Sequence, residues 1–115
     1  MVKEPLIEAE KLAASKTRAR RFVLQVPLRY RVTGEDRWHR GESENISTSG
    51  VLFSGEQFVK SSTLVEMCLR MPGLNSGGAA EVICRGVIVR ALREREADGL
   101  PVFAAKILHF RLIRP

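Results

Sequence analysis

The arginines near the N-terminus are the side chains in this sequence best suited to recognising an anion. The chain carries 19 Lys and Arg against 13 Asp and Glu, a formal net charge of +6 at pH 7. Five of these cations are lysine, so 14 are arginine, whose planar guanidinium makes two parallel hydrogen bonds to a phosphate or a guanine edge. Arg18, Arg20 and Arg21 lie close together. This charge indicates a nucleotide, a nucleic acid or a lipid headgroup as partner, or a basic surface that binds nothing.

The polar segment 45–50 supplies a second set of hydrogen-bonding groups. Asn45 offers a donor and an acceptor to a base edge, and Ser47 offers a hydroxyl to a phosphate. Gly50 allows the backbone to approach a ligand closely or to adopt a positive φ. The alternative is that Asn45 and Ser47 form an Asx- or ST-type turn that only links two strands.

Short strands are the elements that must position these groups. Residues 26–32 alternate apolar and polar side chains, the period of two that is typical of a half-buried strand. Together with turn-forming segments between them, such patterns predict strands at 26–32, 38–44, 51–53, 64–71, 82–92 and 102–108. Six short strands predict an all-β fold, an antiparallel barrel or sandwich, with ligands bound on an outer face or at a rim.

The first residues differ in composition from the rest of the chain. We expect a flexible or partly helical N-terminal arm over residues 1–19 and one globular domain over residues 20–115. No apolar run approaches the length of a membrane span. The N-terminus contains three glutamates and lacks the apolar region of a secretory signal peptide. We therefore expect a cytoplasmic protein.

Residue types that commonly carry catalysis or bind metal are sparse in the sequence. His39 and His109 lie in different predicted strands or at their ends, and neither is spaced to form a metal site with a cysteine. Cys68 and Cys84 lie in apolar runs, which favours buried thiols, with a disulfide between neighbouring strands as the alternative. The sequence has no nucleophile elbow, P-loop or paired-carboxylate signature. We expect no enzymatic activity, no metal and no cofactor.

The order of these segments resembles the PilZ domain family over roughly residues 20–112. Asn45-Ile46-Ser47-Thr48-Ser49-Gly50 is similar to the [D/N]-x-S-x-x-G motif of that family. It follows a VPLRYRV strand and precedes Val51-Leu52-Phe53, and the later segments VEMCLRMP, ICRGVIVR and VFAAKILHF keep the family's order. The resemblance implies a six-stranded antiparallel β-barrel and cyclic di-GMP as the ligand.

The resemblance also implies an R-x-x-x-R motif just before the first strand of the barrel. Arg21 matches the first arginine of the motif, whereas Gln25 stands where the second is expected. A glutamine brings no charge and cannot make the paired hydrogen bonds of a guanidinium to guanine. Arg18 and Arg20 precede the motif and could substitute for the missing arginine.

Two functions are compatible with the motif and its gap. The first is a bacterial regulatory module in which cyclic di-GMP bridges the arm and the 45–50 loop, changing the conformation or the surface offered to a partner. The second, which Gln25 favours, is a degenerate adaptor that binds a protein and not the nucleotide. In the family, such members act in motility or pilus-type systems. Nucleic acid is the least favoured partner, because an aromatic content of 6% is low for base stacking.

The remaining basic and aromatic residues have structural interpretations. We expect Trp38 to pack on the barrel rather than to stack on a guanine. We expect Arg29, Arg31 and Arg90 to lie on the solvated face of the sheet.

Overall fold

All regular structure in the described part of the chain is β-strand. The computed structural model describes residues 22–71, 80–94 and 98–113. The predicted arm, residues 1–19, lies outside these ranges. The strands are β1 (Phe22–Val23), β2 (Pro27–Val32), β3 (His39–Ile46), β4 (Gly50–Gly55), β5 (Leu64–Met71), β6 (Ala80–Leu92) and β7 (Val102–Ile113).

Six of these strands form a closed antiparallel barrel. Their order is β3-β2-β5-β6-β7-β4, and pairing between β3 and β4 closes the ring. Every pairing is antiparallel. The all-β fold and the six-stranded antiparallel barrel expected from the sequence are confirmed, with β1 as a short addition beside β3.

The barrel interior holds the apolar side chains that the period-two patterns select. Val65, Met67 and Leu69 alternate along β5 and are at most 1% exposed. Three aromatic rings fill the centre, with ring centroids 5.1–5.9 Å apart. Burial of large aromatic and aliphatic side chains supplies most of the stabilising free energy of a domain of this size. The central rings are those of Tyr30, Phe53 and Phe103.

An interruption separates β1 from β2, although both pair with β3. Ser43 of β3 is fully buried beside this interruption. Its hydroxyl donates to the Leu24 carbonyl at 2.5 Å and accepts from the Val26 N–H at 2.9 Å. One side chain thus satisfies two backbone groups that leave the strand ladder, which keeps them from being buried unpaired. The sequence analysis missed β1 because two residues are too few to show a period.

The predicted boundaries differ from the structure around the polar segment 45–50. β3 begins at His39 rather than Trp38 and continues through Ile46, while β4 already begins at Gly50. Pairing continues to Ile46↔Val51, past a register shift between Ser43 and Asn45. The loop is therefore only residues 47–49, because cross-strand hydrogen bonds outweigh the weak strand propensity of Asn45 and Gly50.

The two cysteines are free thiols on neighbouring strands. Cys84 lies opposite Met67, whereas Cys68 lies opposite Ile83, so consecutive positions direct the two side chains to opposite faces. Burial raises the pKa of the Cys84 thiol to about 12. Cys84 is thus buried as expected, whereas Cys68, which was also expected to be buried, is half-buried.

The described ranges contain no helix with the length and apolar composition of a membrane span. They also contain no group of three or more His, Cys, Asp and Glu side chains that could hold a metal ion.

Candidate functional site

The turn between β3 and β4 consists of residues 47–49, and Ser47 organises it. The Ser47 N–H donates to the Gly50 carbonyl at 2.8 Å. Its hydroxyl oxygen accepts from the Gly50 N–H at 3.0 Å and from the Ser49 N–H at 3.2 Å. Ser47 is 3% exposed. The hydroxyl therefore serves the ST-type turn named as the alternative to direct ligand contact.

Asn45 and Gly50 lie on the two strands that enter and leave this turn. Asn45 is half-buried in β3, paired with Val23 on one side and Leu52 on the other. Gly50 is buried as the first residue of β4. The structure therefore brings Asn45, Ser47 and Gly50 together at one end of the barrel.

The basic segment before β1 is attached to the same end of the barrel. Arg18, Arg20 and Arg21 lie outside the described residues. The described chain begins at Phe22, whose Cα partner is Ile46, the residue before Ser47. Consecutive Cα atoms are about 3.8 Å apart. Phe22, the residue bonded to Arg21, therefore lies beside the strand end that enters the turn.

Gln25 lies in the interruption between β1 and β2 and is exposed. The backbone groups on either side of it are held by Ser43, through Leu24 and Val26. The position at which the family motif carries its second arginine is therefore fixed in space and open to solvent.

Lys106 is a candidate site residue that the sequence analysis did not identify. It lies on β7 directly opposite Gly50 and is exposed. The next residue, Ile107, donates its N–H to the Ser49 carbonyl at 2.8 Å. Opposed Cα atoms in antiparallel pairs are about 4.5–5.5 Å apart. No sequence signal could place Lys106 here, because its position depends on the register between β4 and β7.

A small apolar pocket of about 40 Å³ lies inside the barrel beneath the turn. Ser47 and Thr48 form its edge, and apolar side chains from several strands form its wall. The Thr48 Oγ1 is buried and has no hydrogen-bond partner in the described part of the chain. The pocket is too small to hold a nucleotide. The wall comprises Ile46, Val51, Leu69, Met71, Val82, Cys84, Ile107 and Phe110.

Other side chains considered in the sequence lie away from the turn. The Trp38 ring is covered by two guanidiniums, with Arg31 Cζ at 4.5 Å and Arg29 Cζ at 5.4 Å from its centroid. His39 is buried at the opposite end of β3, where its Nδ1 lies 3.9 Å from Glu56 Oε2. Arg90 is exposed on β6.

Residues 15–111 match a family model described as the PilZ domain. No curated protein matches the chain significantly. The family match begins before the described residues and includes the basic segment, the turn and Lys106.

Proposed function

The chain belongs to the PilZ domain family, and from this premise we propose that it is a regulatory module that binds cyclic di-GMP. At the level of the family, PilZ domains are receptors rather than enzymes, so the proposal includes no catalytic step. The observation that carries it is that β1, which follows the basic segment in the sequence, and Lys106 both pair beside the turn 47–49. The chain after Arg21 pairs beside Ser47, and Lys106 pairs with Gly50.

Each candidate residue has a role that suits a ligand with two phosphates and two guanines. Arg21, Arg20 and Arg18 provide guanidiniums for phosphate oxygens or guanine edges. Asn45 recognises a base edge. Lys106 adds a positive charge on the other side of the turn. This charge partly compensates for the uncharged Gln25 at the second arginine position of the motif.

Ser47 and Gly50 contribute to the proposed site through the shape of the turn. The Ser47 hydroxyl fixes the Gly50 and Ser49 N–H groups. Gly50 is buried beside Lys106, where the absence of a side chain lets the backbone of the turn pack closely. In this proposal Ser47 positions groups for the ligand rather than bonding to it.

The regulatory step in the proposal is the joining of the basic segment to the turn by the ligand. Fixing a backbone residue costs roughly 1–2 kcal/mol of conformational entropy, so several contacts must form together. The joined segment then presents a different surface to a partner protein. Since cyclic di-GMP acts inside bacterial cells, the proposal places the domain in the cytoplasm.

A second candidate function is favoured by Gln25. An exposed, uncharged side chain at the second motif position removes a bidentate guanine contact worth roughly 1–3 kcal/mol. A protein with this gap could retain the barrel and act as an adaptor for a protein partner without binding the nucleotide.

Titration calorimetry with cyclic di-GMP at low salt tests the proposal. We expect binding by the wild-type chain, and we expect Lys106→Ala to weaken it about tenfold, equivalent to about 1.4 kcal/mol. Lys60→Ala is the matched control, because Lys60 is exposed in the loop after β4, away from the turn. Wild-type protein that binds no nucleotide favours the adaptor, and equal effects of the two substitutions exclude a specific role for Lys106.

A further inference from the structure

The outer surfaces of β2, β5, β6 and β7 form a continuous face rich in arginine. Strand register aligns its residues in rows: Arg31, Glu66, Arg85 and His109 form one row across the four strands. A second row runs from Arg29 on β2 to Arg111 on β7. We call this surface the basic face, defined by Arg29, Arg31, Arg70, Arg85 and Arg111.

Positive charge on the basic face exceeds what its own carboxylates neutralise. The five arginines share this surface with two glutamates, Glu66 and Glu81. These seven side chains together carry a formal net charge of +3. Glu66 is shared: its Oε1 lies 2.8 Å from Arg31 Nε and its Oε2 lies 4.0 Å from Arg85 Nε. The Arg85 side chain is 72% exposed.

Trp38 stiffens the edge of the basic face. Its ring carries the guanidinium of Arg31 at 4.5 Å and that of Arg29 at 5.4 Å. Such contacts hold an arginine in place while its hydrogen-bond donors remain in the plane of the guanidinium. The same contacts occupy ring surface on which a nucleic-acid base would otherwise stack.

We propose that the basic face binds an acidic segment of a partner protein. Arginine pairs with carboxylates through two parallel hydrogen bonds. Neighbouring strands are about 4.8 Å apart, so the four-strand face is about 14 Å wide, which suits a short segment better than a whole-domain interface. Glu66 and Glu81 repel a uniform row of phosphates but accept a cation from a protein of mixed charge.

This interaction is separate from the proposed nucleotide site. The turn 47–49 joins β3 and β4, which contribute nothing to the basic face. Lys106 lies on β7 between Gly50 and Val87, five residues before Arg111, so the nucleotide site borders the basic face without sharing its five arginines. The basic face can therefore bind an acidic segment whether or not the turn binds cyclic di-GMP.

Nuclear magnetic resonance titration of the full chain with a capped peptide of glutamate, leucine and one lysine tests this inference. We expect shift changes at Arg29, Arg85 and Arg111, and an affinity that falls with added salt. A peptide with glutamine in place of glutamate should leave these signals unchanged. Single-stranded RNA of the same net charge and phosphatidylglycerol vesicles serve as competing polyanions, and both should bind the face more weakly than the peptide.

Arg111→Glu should weaken the peptide complex on the order of tenfold or more. Lys60→Glu is the matched control, because Lys60 is exposed in the loop after β4 and the change in net charge is the same. The inference is overturned if the peptide leaves the face unperturbed, if RNA or vesicles bind it more tightly, or if both substitutions have equal effects. Cyclic di-GMP titration of Arg111→Glu should match the wild type, so failure here is distinguishable from failure of the nucleotide site.

Discussion

Gln25 stands where the R-x-x-x-R motif expected from the sequence would have its second arginine, and a single substitution introduces that arginine. Its exposed position between β1 and β2 is fixed by the hydrogen bonds of Ser43. Gln25→Arg should raise the affinity for cyclic di-GMP by about 1–3 kcal/mol, because a guanidinium pairs with guanine and attracts phosphate. The gain should shrink at high salt, and calorimetry measures both effects.

A control of equal charge separates local contact from general attraction in that experiment. Gln57→Arg adds the same charge at an exposed position near the other end of the barrel. It should change the affinity little. If Gln25→Arg and the wild type both fail to bind at low salt, the adaptor function becomes the better description.

Ser47 offers a second test at this scale, since its hydroxyl is the acceptor for two backbone donors of the turn. Ser47→Ala leaves the Gly50 N–H without that acceptor, and should lower the free energy of unfolding by about 1–3 kcal/mol. Urea titration followed by circular dichroism measures the loss. Ser49→Ala, at an exposed position, should cost much less. Unchanged stability combined with lost nucleotide binding would instead identify Ser47 as a direct ligand contact.

The sequence identifies the residues of the turn but not which of them contact the backbone and which could contact a ligand. The motif singled out Asn45, Ser47 and Gly50, and the structure places all three at one end of the barrel. Ser47 could equally contact ligand or backbone, because local sequence does not specify the partner of a hydroxyl. Lys106 could not be predicted as a site residue, because it is far from Gly50 in the sequence and becomes its neighbour only through strand pairing.

The end of β4 is packed against Tyr30 of β2 without room for a side chain. A Cβ on Gly55 would collide with the Tyr30 ring and its hydroxyl. That hydroxyl donates to the Gln57 carbonyl at 2.6 Å and accepts from the Gln57 N–H at 2.8 Å. The missing side chain of Gly55 therefore lets a buried tyrosine fix the chain that follows β4.

Gly55→Ala should consequently destabilise the barrel by more than about 3 kcal/mol, since core overpacking commonly costs about 1–3 kcal/mol and Tyr30 cannot move without losing both hydrogen bonds. Thermal unfolding followed by circular dichroism checks this. Gly34→Ala is a useful comparison, because its Cβ would meet no atom and only its φ of +92° opposes the change. That variant should lose about 1–2 kcal/mol, and equal losses for both variants would contradict the packing argument.

Periodicity predicted the six barrel strands because each buries alternate side chains in one interior. Periodicity predicted the strand ends less accurately. β7 continues to Ile113, and β3 and β4 extend toward each other beyond the predicted limits. These extensions depend on hydrogen bonds between strands, including register shifts on β6 and β7, rather than on local composition.

For the whole molecule, the division into an arm over residues 1–19 and a barrel domain remains a prediction. Deleting residues 1–19 should leave the melting temperature nearly unchanged, because the buried core belongs to the barrel strands. It should weaken cyclic di-GMP binding by removing Arg18. Thermal unfolding and calorimetry on the same sample separate the two effects. A large fall in melting temperature would show that the arm is part of the folded domain.

The pairing of β4 with β7 has a consequence for how the molecule is made. β4 is followed in the sequence by β5 and β6, yet besides β3 it pairs with the later strand β7. A growing polypeptide can form the β3–β4 hairpin early, but Lys106 reaches Gly50 only after β7 has been synthesised. Contacts between strands so distant in sequence form slowly. The proposed anion-binding site therefore matures with closure of the barrel, and an unfinished chain cannot respond to the messenger.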